Sequence, residues 1–140
     1  MARPNAQRTR RERGGEGGFT LIELMTVIAI MGVLVAIALP NYKASIIQSK
    51  EAVLKEDLTR LRSLLDQYQA DRGHFPESLE KLVEDGYLRQ LPIDPMTGGQ
   101  DWEVVMEDPD PSDPSATPGV YSVKSSSTGV SLSGRNYNEW

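Results

Sequence analysis

The sequence predicts an α+β protein. A long N-terminal helix, transmembrane in its first half and amphipathic in its second, packs on a small antiparallel β-sheet head. Three observations lead there. Residues 19–39 form one apolar run, the stretch after Pro40 changes to helical period, and the last third alternates in short segments between Gly- and Pro-rich turns.

From Phe19 to Leu39 there is no Lys, Arg or Asp, and one acid, Glu23. A helix of this length spans roughly 30 Å, the thickness of a bilayer's hydrocarbon core. An ionised carboxylate inside such a segment costs about 2.5–3.5 kcal/mol at mid-depth and less near an end. Glu23 therefore needs a compensating partner. The residues around it, Gly18-Phe19-Thr20-Leu21-Ile22-Glu23, resemble the processing site of type IV pilins and type II secretion pseudopilins. The resemblance implies that a prepilin peptidase cuts between Gly18 and Phe19 and N-methylates Phe19, leaving Glu23 as the fifth residue. Gly32 and Pro40 stand where that family places a helix-loosening glycine and proline.

A methylated terminal amine stays positively charged. The helix dipole favours an acid near a helix N-terminus, and the first-turn N–H groups still need acceptors. On physics alone, two arrangements satisfy Glu23. It can pair with the Phe19 ammonium of a neighbouring parallel helix, or with that of its own chain one turn away. In low dielectric either pair is strong and a lone charge is costly. The resemblance favours the pair between subunits, which would set their register in a filament.

Residues 1–18 carry five Arg against Glu12 and Glu16, a net charge of +3, and the remaining residues carry −8 of the total of −5. An Arg-rich tail before an apolar helix stays on the cytoplasmic side. It reads as a leader, cleaved on maturation. A basic nucleic-acid arm is the alternative reading of this tail, but the acidic remainder gives no support for nucleic-acid binding. Two further readings of the apolar run are an ordinary secretory signal, cut after Ala36-Ile37-Ala38 to release a chain from Leu39, and an unprocessed anchor. Neither explains Glu23 or the Gly18-Phe19 junction.

Pro40 lacks an N–H and crowds the preceding turn, so it should kink or open the helix there. Residues 41–72 continue it. Leu54, Leu58, Leu61, Leu65 and Tyr68 step by four and three into one apolar stripe, with charged residues on the other faces. Glu51 and Lys55 are spaced for an i,i+4 pair. Gly73 suits a left-handed cap and Pro76 prevents simple continuation.

Residues 73–140 form the head. Residues 77–85 predict a short helix with Leu79, Leu82 and Val83 inward and Gly86 as its stop. Leu91-Pro92-Ile93-Asp94-Pro95 opens a turn, and residues 102–106 and 120–124 alternate as strands, with 130–132 a weaker third. Tyr137 and Trp140 can pack on the sheet edge. Gly73-His74-Phe75-Pro76 and Leu91-Pro92-Ile93-Asp94-Pro95 resemble segments of the major, or G-type, pseudopilins, although Met96 stands where that family often has Trp.

The resemblance also implies calcium, held by Asp side chains in a loop near the C-terminus. The matching region here is Ser125-Ser126-Ser127-Thr128-Gly129, without a carboxylate. No ligand is carried over, and no cofactor or metal is expected. The acidic, Pro-interrupted stretch 107–114 lacks an EF-hand pattern and reads as a solvated loop. His74 is the single histidine and there is no cysteine, so neither a disulfide nor a His/Cys metal cluster can form. No catalytic constellation stands out, and the protein is expected not to be an enzyme.

The expected function is that of a pseudopilus subunit driving type II secretion. Its partners would be copies of itself in a helical filament, prepilin peptidase, minor pseudopilins, the inner-membrane assembly platform and, indirectly, a secretion ATPase. It would sit in the bacterial inner membrane by a single span, with its head in the periplasm. A type IV pilus subunit for adhesion, motility or DNA uptake is one alternative. A monomeric membrane-anchored binding module is another.

Overall fold

The structure is a computed structural model and describes residues 1–2, 17–108, 111–113 and 115–140. Residues 3–16 of the leader, and Pro109, Asp110 and Pro114 of the acidic loop, lie outside the described residues. The chain divides into two compact units, Met1–Leu39 and Pro40–Trp140. Helix α1 covers Leu21–Arg72, with Pro40 inside it.

In the first unit the helix is apolar on every face. Leu24, Ile30 and Leu34 are all more than half exposed. The segment is long and apolar enough to cross a membrane, and none of that window is buried within the chain. Among the described residues, no other element of the first unit covers it.

The second unit is built on the later turns of α1. Leu54, Leu58, Leu61, Leu65 and Tyr68 are all buried and form one core with Leu79, Leu82, Leu88, Leu91, Trp102, Val120, Val123 and Tyr137. The helix ends at Arg72 because Gly73 takes φ +81°, while its N–H donates to the Gln69 carbonyl at 2.7 Å. A glycine adopts that conformation without the strain other residues meet. Helix α2 is shorter than the sequence suggested, Glu80–Glu84. It presses Leu79 and Leu82 into the core, with Val83 half-buried. Tyr87 returns to α1, where its hydroxyl donates to Asp71 at 2.9 Å and its ring lies 5.1 Å from Tyr68.

The sheet has two antiparallel strands, β1 (Glu103–Met106) and β2 (Val120–Lys124), in a register of Glu103 with Lys124 and Val104 with Val123. The register shifts between Val105 and Met106, which pairs with Val120. Just before β2, a Cβ on Gly119 would lie 2.5 Å from the Phe75 Cβ, so this close approach requires glycine. The third strand expected at residues 130–132 does not form. A single bridge joins Val130 and Asn136, because the neighbouring donors are used elsewhere. The Ser131 N–H goes to the Arg135 carbonyl and the Leu132 N–H to the Glu51 carboxylate. The chain finishes in a 3-10 turn at Tyr137–Glu139.

A second correction concerns Glu51. It does not pair with Lys55. Its Oε1 accepts the Leu132 N–H at 2.7 Å and the Tyr137 hydroxyl at 2.9 Å in a buried position. Lys55 instead places its Nζ 4.7 Å from the centre of the Trp140 ring. Glu51 thus ties the last ten residues to the helix, and burial, followed by the hydrogen bond to Glu51, pushes the Tyr137 phenol above its ordinary pKa.

Candidate processing and assembly site

Gly17, Gly18, Phe19 and Thr20 precede the helix without regular structure and are exposed, Phe19 at 91%. Helix α1 starts at Leu21 for a local reason. The Thr20 hydroxyl accepts the Glu23 N–H at 3.3 Å, and Glu23 Oε2 accepts the Thr20 N–H at 2.8 Å. This reciprocal pair is a capping box, Thr-x-x-Glu, which satisfies two of the first-turn donors at once. The Thr20 carbonyl then accepts the first helical bond, from Leu24 at 3.2 Å.

The cap has two consequences. The helix stops short of the Gly18–Phe19 peptide bond, so that bond stands in exposed chain. Glu23 uses one carboxylate oxygen for the cap, while its Oε1 accepts no hydrogen bond among the described residues. One side of the acid is thereby fixed within the chain and the other is open to a second donor.

The remaining sequence-predicted residues are spread along α1. Gly32 lies within the helix, and a Cβ built there would meet nothing within 4 Å. Pro40 lies inside α1 at the start of the second unit. Thr20 was not singled out as a cap from the sequence, although the Thr-x-x-Glu spacing before an apolar run was the signal for it.

Ser125 and Ser126, in the segment that matches the calcium loop implied by the resemblance, donate to two aspartates. Asp94 is fully buried; its Oδ1 accepts the Met96 N–H at 2.8 Å and its Oδ2 accepts the Ser125 hydroxyl. Asp101 accepts the hydroxyls of Thr97 and Ser126, which hold its carboxyl below the usual carboxylate range. No group of three or more His, Cys, Asp or Glu is placed to hold a metal among the described residues. Each of these two aspartates thus already accepts two hydrogen bonds within the chain.

Residues 13–39 match the family model described as the prokaryotic N-terminal methylation motif. The chain is 36% identical to type II secretion system core protein G of Pseudomonas aeruginosa over 100 residues, covering 60% of this chain and 70% of that protein. It is 33% identical to the protein of the same name in Klebsiella michiganensis, over 66% of this chain and 75% of that one. The Escherichia coli protein of that name is 35% identical, over 63% and 70%. No solved structure matches the chain. The motif lies on the exposed, capped start of α1, and the relatives extend the match into the head: the chain belongs to the family of type II secretion system core protein G, the major pseudopilins of type II secretion.

Proposed function

We propose that the chain is the repeating structural subunit of a pseudopilus, made ready by cleavage between Gly18 and Phe19 and by N-methylation of Phe19. The observation that carries this reading is the half-used Glu23 carboxylate at the capped start of an uncovered apolar helix. The precursor sits in the inner membrane with its Arg-rich leader inside and its head in the periplasm. Removal of residues 1–18 leaves an ammonium at Phe19. In a parallel array of helices, the free oxygen of Glu23 meets the Phe19 ammonium of the adjacent subunit and sets the register.

Leaving the bilayer then costs little, because neighbouring helices cover the apolar face that lipid had covered. Left in water, that face would cost about 25 cal/mol per Å². Gly32 lets helices approach closely, and Pro40 loosens the backbone where the apolar segment meets the amphipathic one. Minor pseudopilins, the inner-membrane assembly platform and a separate secretion ATPase act on the subunit. The head itself performs no catalysis and takes no cofactor in this reading.

Replacing Glu23 by Ala or Gln in a secreting cell tests it. The variant should still insert, but it should yield little filament in the sheared fraction and little secretion. A Glu23→Ala chain that assembles and supports secretion as the parent does would contradict the reading and favour a membrane-anchored binding module.

A further inference from the structure

Within the second unit, an open groove runs between α1 and the C-terminal segment, lined by Lys55, Thr59, Arg62, Arg135, Glu139 and Trp140. Three cations and one acid, Glu139, line it. Among the described residues no side-chain carboxylate forms an ion pair with Lys55, Arg62 or Arg135. The Arg62 Nη2 donates to the backbone oxygens of Val123 at 2.8 Å and Trp140 at 2.7 Å, which fixes the guanidinium at the groove floor. Its Nε is buried without a partner. Lys55 lies over the Trp140 ring, and the Arg135 guanidinium reaches a backbone oxygen at 3.4 Å. An immobilised guanidinium, two flanking cations and an indole wall suit an incoming carboxylate.

The same chain carries the complement. Between Arg89 and Lys124 there is no Lys or Arg, while acids recur from Asp94 to Asp113. Asp94 and Asp101 are used internally. Glu107 and Asp108, just beyond β1, have no cationic partner within the chain among the described residues. A helical filament is built by heterologous contacts, in which two different patches of one chain meet on successive copies. Complementary charge on those patches fixes which faces meet.

We propose that the Lys55–Arg62–Arg135 groove of one subunit receives the Glu107–Asp108 carboxylates of a second copy, forming a lateral head-to-head contact along the pseudopilus. This contact rests on the filament reading above and adds to it a second, polar interface outside the apolar helix.

The chain has no cysteine, so a double variant of the full-length protein, Ser133→Cys in the groove lining and Asp108→Cys, reports the contact cleanly. Oxidation of sheared filaments should give a ladder longer than dimers, and either single variant should give none. Charge exchange supplies an independent test that leaves Arg62 in place. Arg135→Glu and Asp108→Arg should each cut sheared filament about tenfold, and combining them should restore it, a coupling expected of residues in contact and not of independent structural damage. Normal filaments without the ladder, a cross-link to another protein, or a double reversal as poor as the singles would overturn the contact while leaving the filament reading intact. A parent chain that never appears in the sheared fraction would overturn both.

Discussion

Both halves of α1 carry large aliphatic residues, yet these end in opposite environments. Ile30 and Leu34 are exposed in the chain, whereas Leu61 and Leu65 are completely buried. The difference lies in where the partner is encoded. The stripe from Leu54 to Tyr68 repeats at helical period and meets a core supplied by the same chain, through Leu82, Trp102, Val123 and others. Residues 21–39 are apolar on every face, so no single covering element could satisfy them. Their partner must surround the helix, as lipid and then a bundle of copies would in the proposed filament. Exposed apolar surface in the first unit is therefore unfinished assembly, and buried apolar surface in the second is finished folding.

Substitutions can break this contrast. Leu61→Ala should destabilise the head by about 3 kcal/mol, as full-depth leucine truncations do, when followed by chemical denaturation. Ile30→Ala should leave the head's unfolding midpoint unchanged. Equal effects at the two sites would erase the distinction. Next in size is Glu51→Ala, which strands the Leu132 N–H and the Tyr137 hydroxyl. A loss of about 2 kcal/mol is expected, against well under 1 kcal/mol for Lys55→Ala, whose ammonium contributes a partly exposed ring contact.

Alkaline pH probes the same tie between helix and C-terminal segment. Burial first, then Asp85 for Tyr68 and Glu51 for Tyr137, pushes both phenols above the ordinary value of 10.0. The folded state therefore favours the neutral phenols. Their contribution is complete below that value and is lost as pH rises through the folded pKa values. Thermal melts should fall above about pH 10, and Tyr137→Phe should flatten part of that fall while lowering stability at neutral pH.

The smallest effect concerns the start of the helix. Thr20→Ala removes one arm of the capping box and should cost about 1 kcal/mol of local helix stability, read as faster amide exchange at residues 21–24 in micelles. Thr20→Ser should preserve protection there.

Much of this architecture is legible in the sequence, because short-range pattern sets it. The stripe follows from period, the end of α1 from Gly73, and the family resemblance from six consecutive residues, 18–23. What escaped was decided by contacts distant along the chain. Glu51 lies three residues before Leu54, on the same face as the stripe. Its partners, Leu132 and Tyr137, are 81 and 86 residues away, so local charge spacing pointed to Lys55 instead. Residues 130–132 alternate like a strand, but Glu51 takes the Leu132 N–H that a ladder would use. The groove beside Trp140 is equally invisible in sequence, since it exists only once the C-terminal segment lies against α1.

The most direct measurement is the intact mass and N-terminal peptide of the protein taken from native membranes. The account predicts a chain that begins with N-methylated Phe19. A chain that starts at Leu39, or one that retains its Arg-rich leader in cells with an active prepilin peptidase, would contradict it.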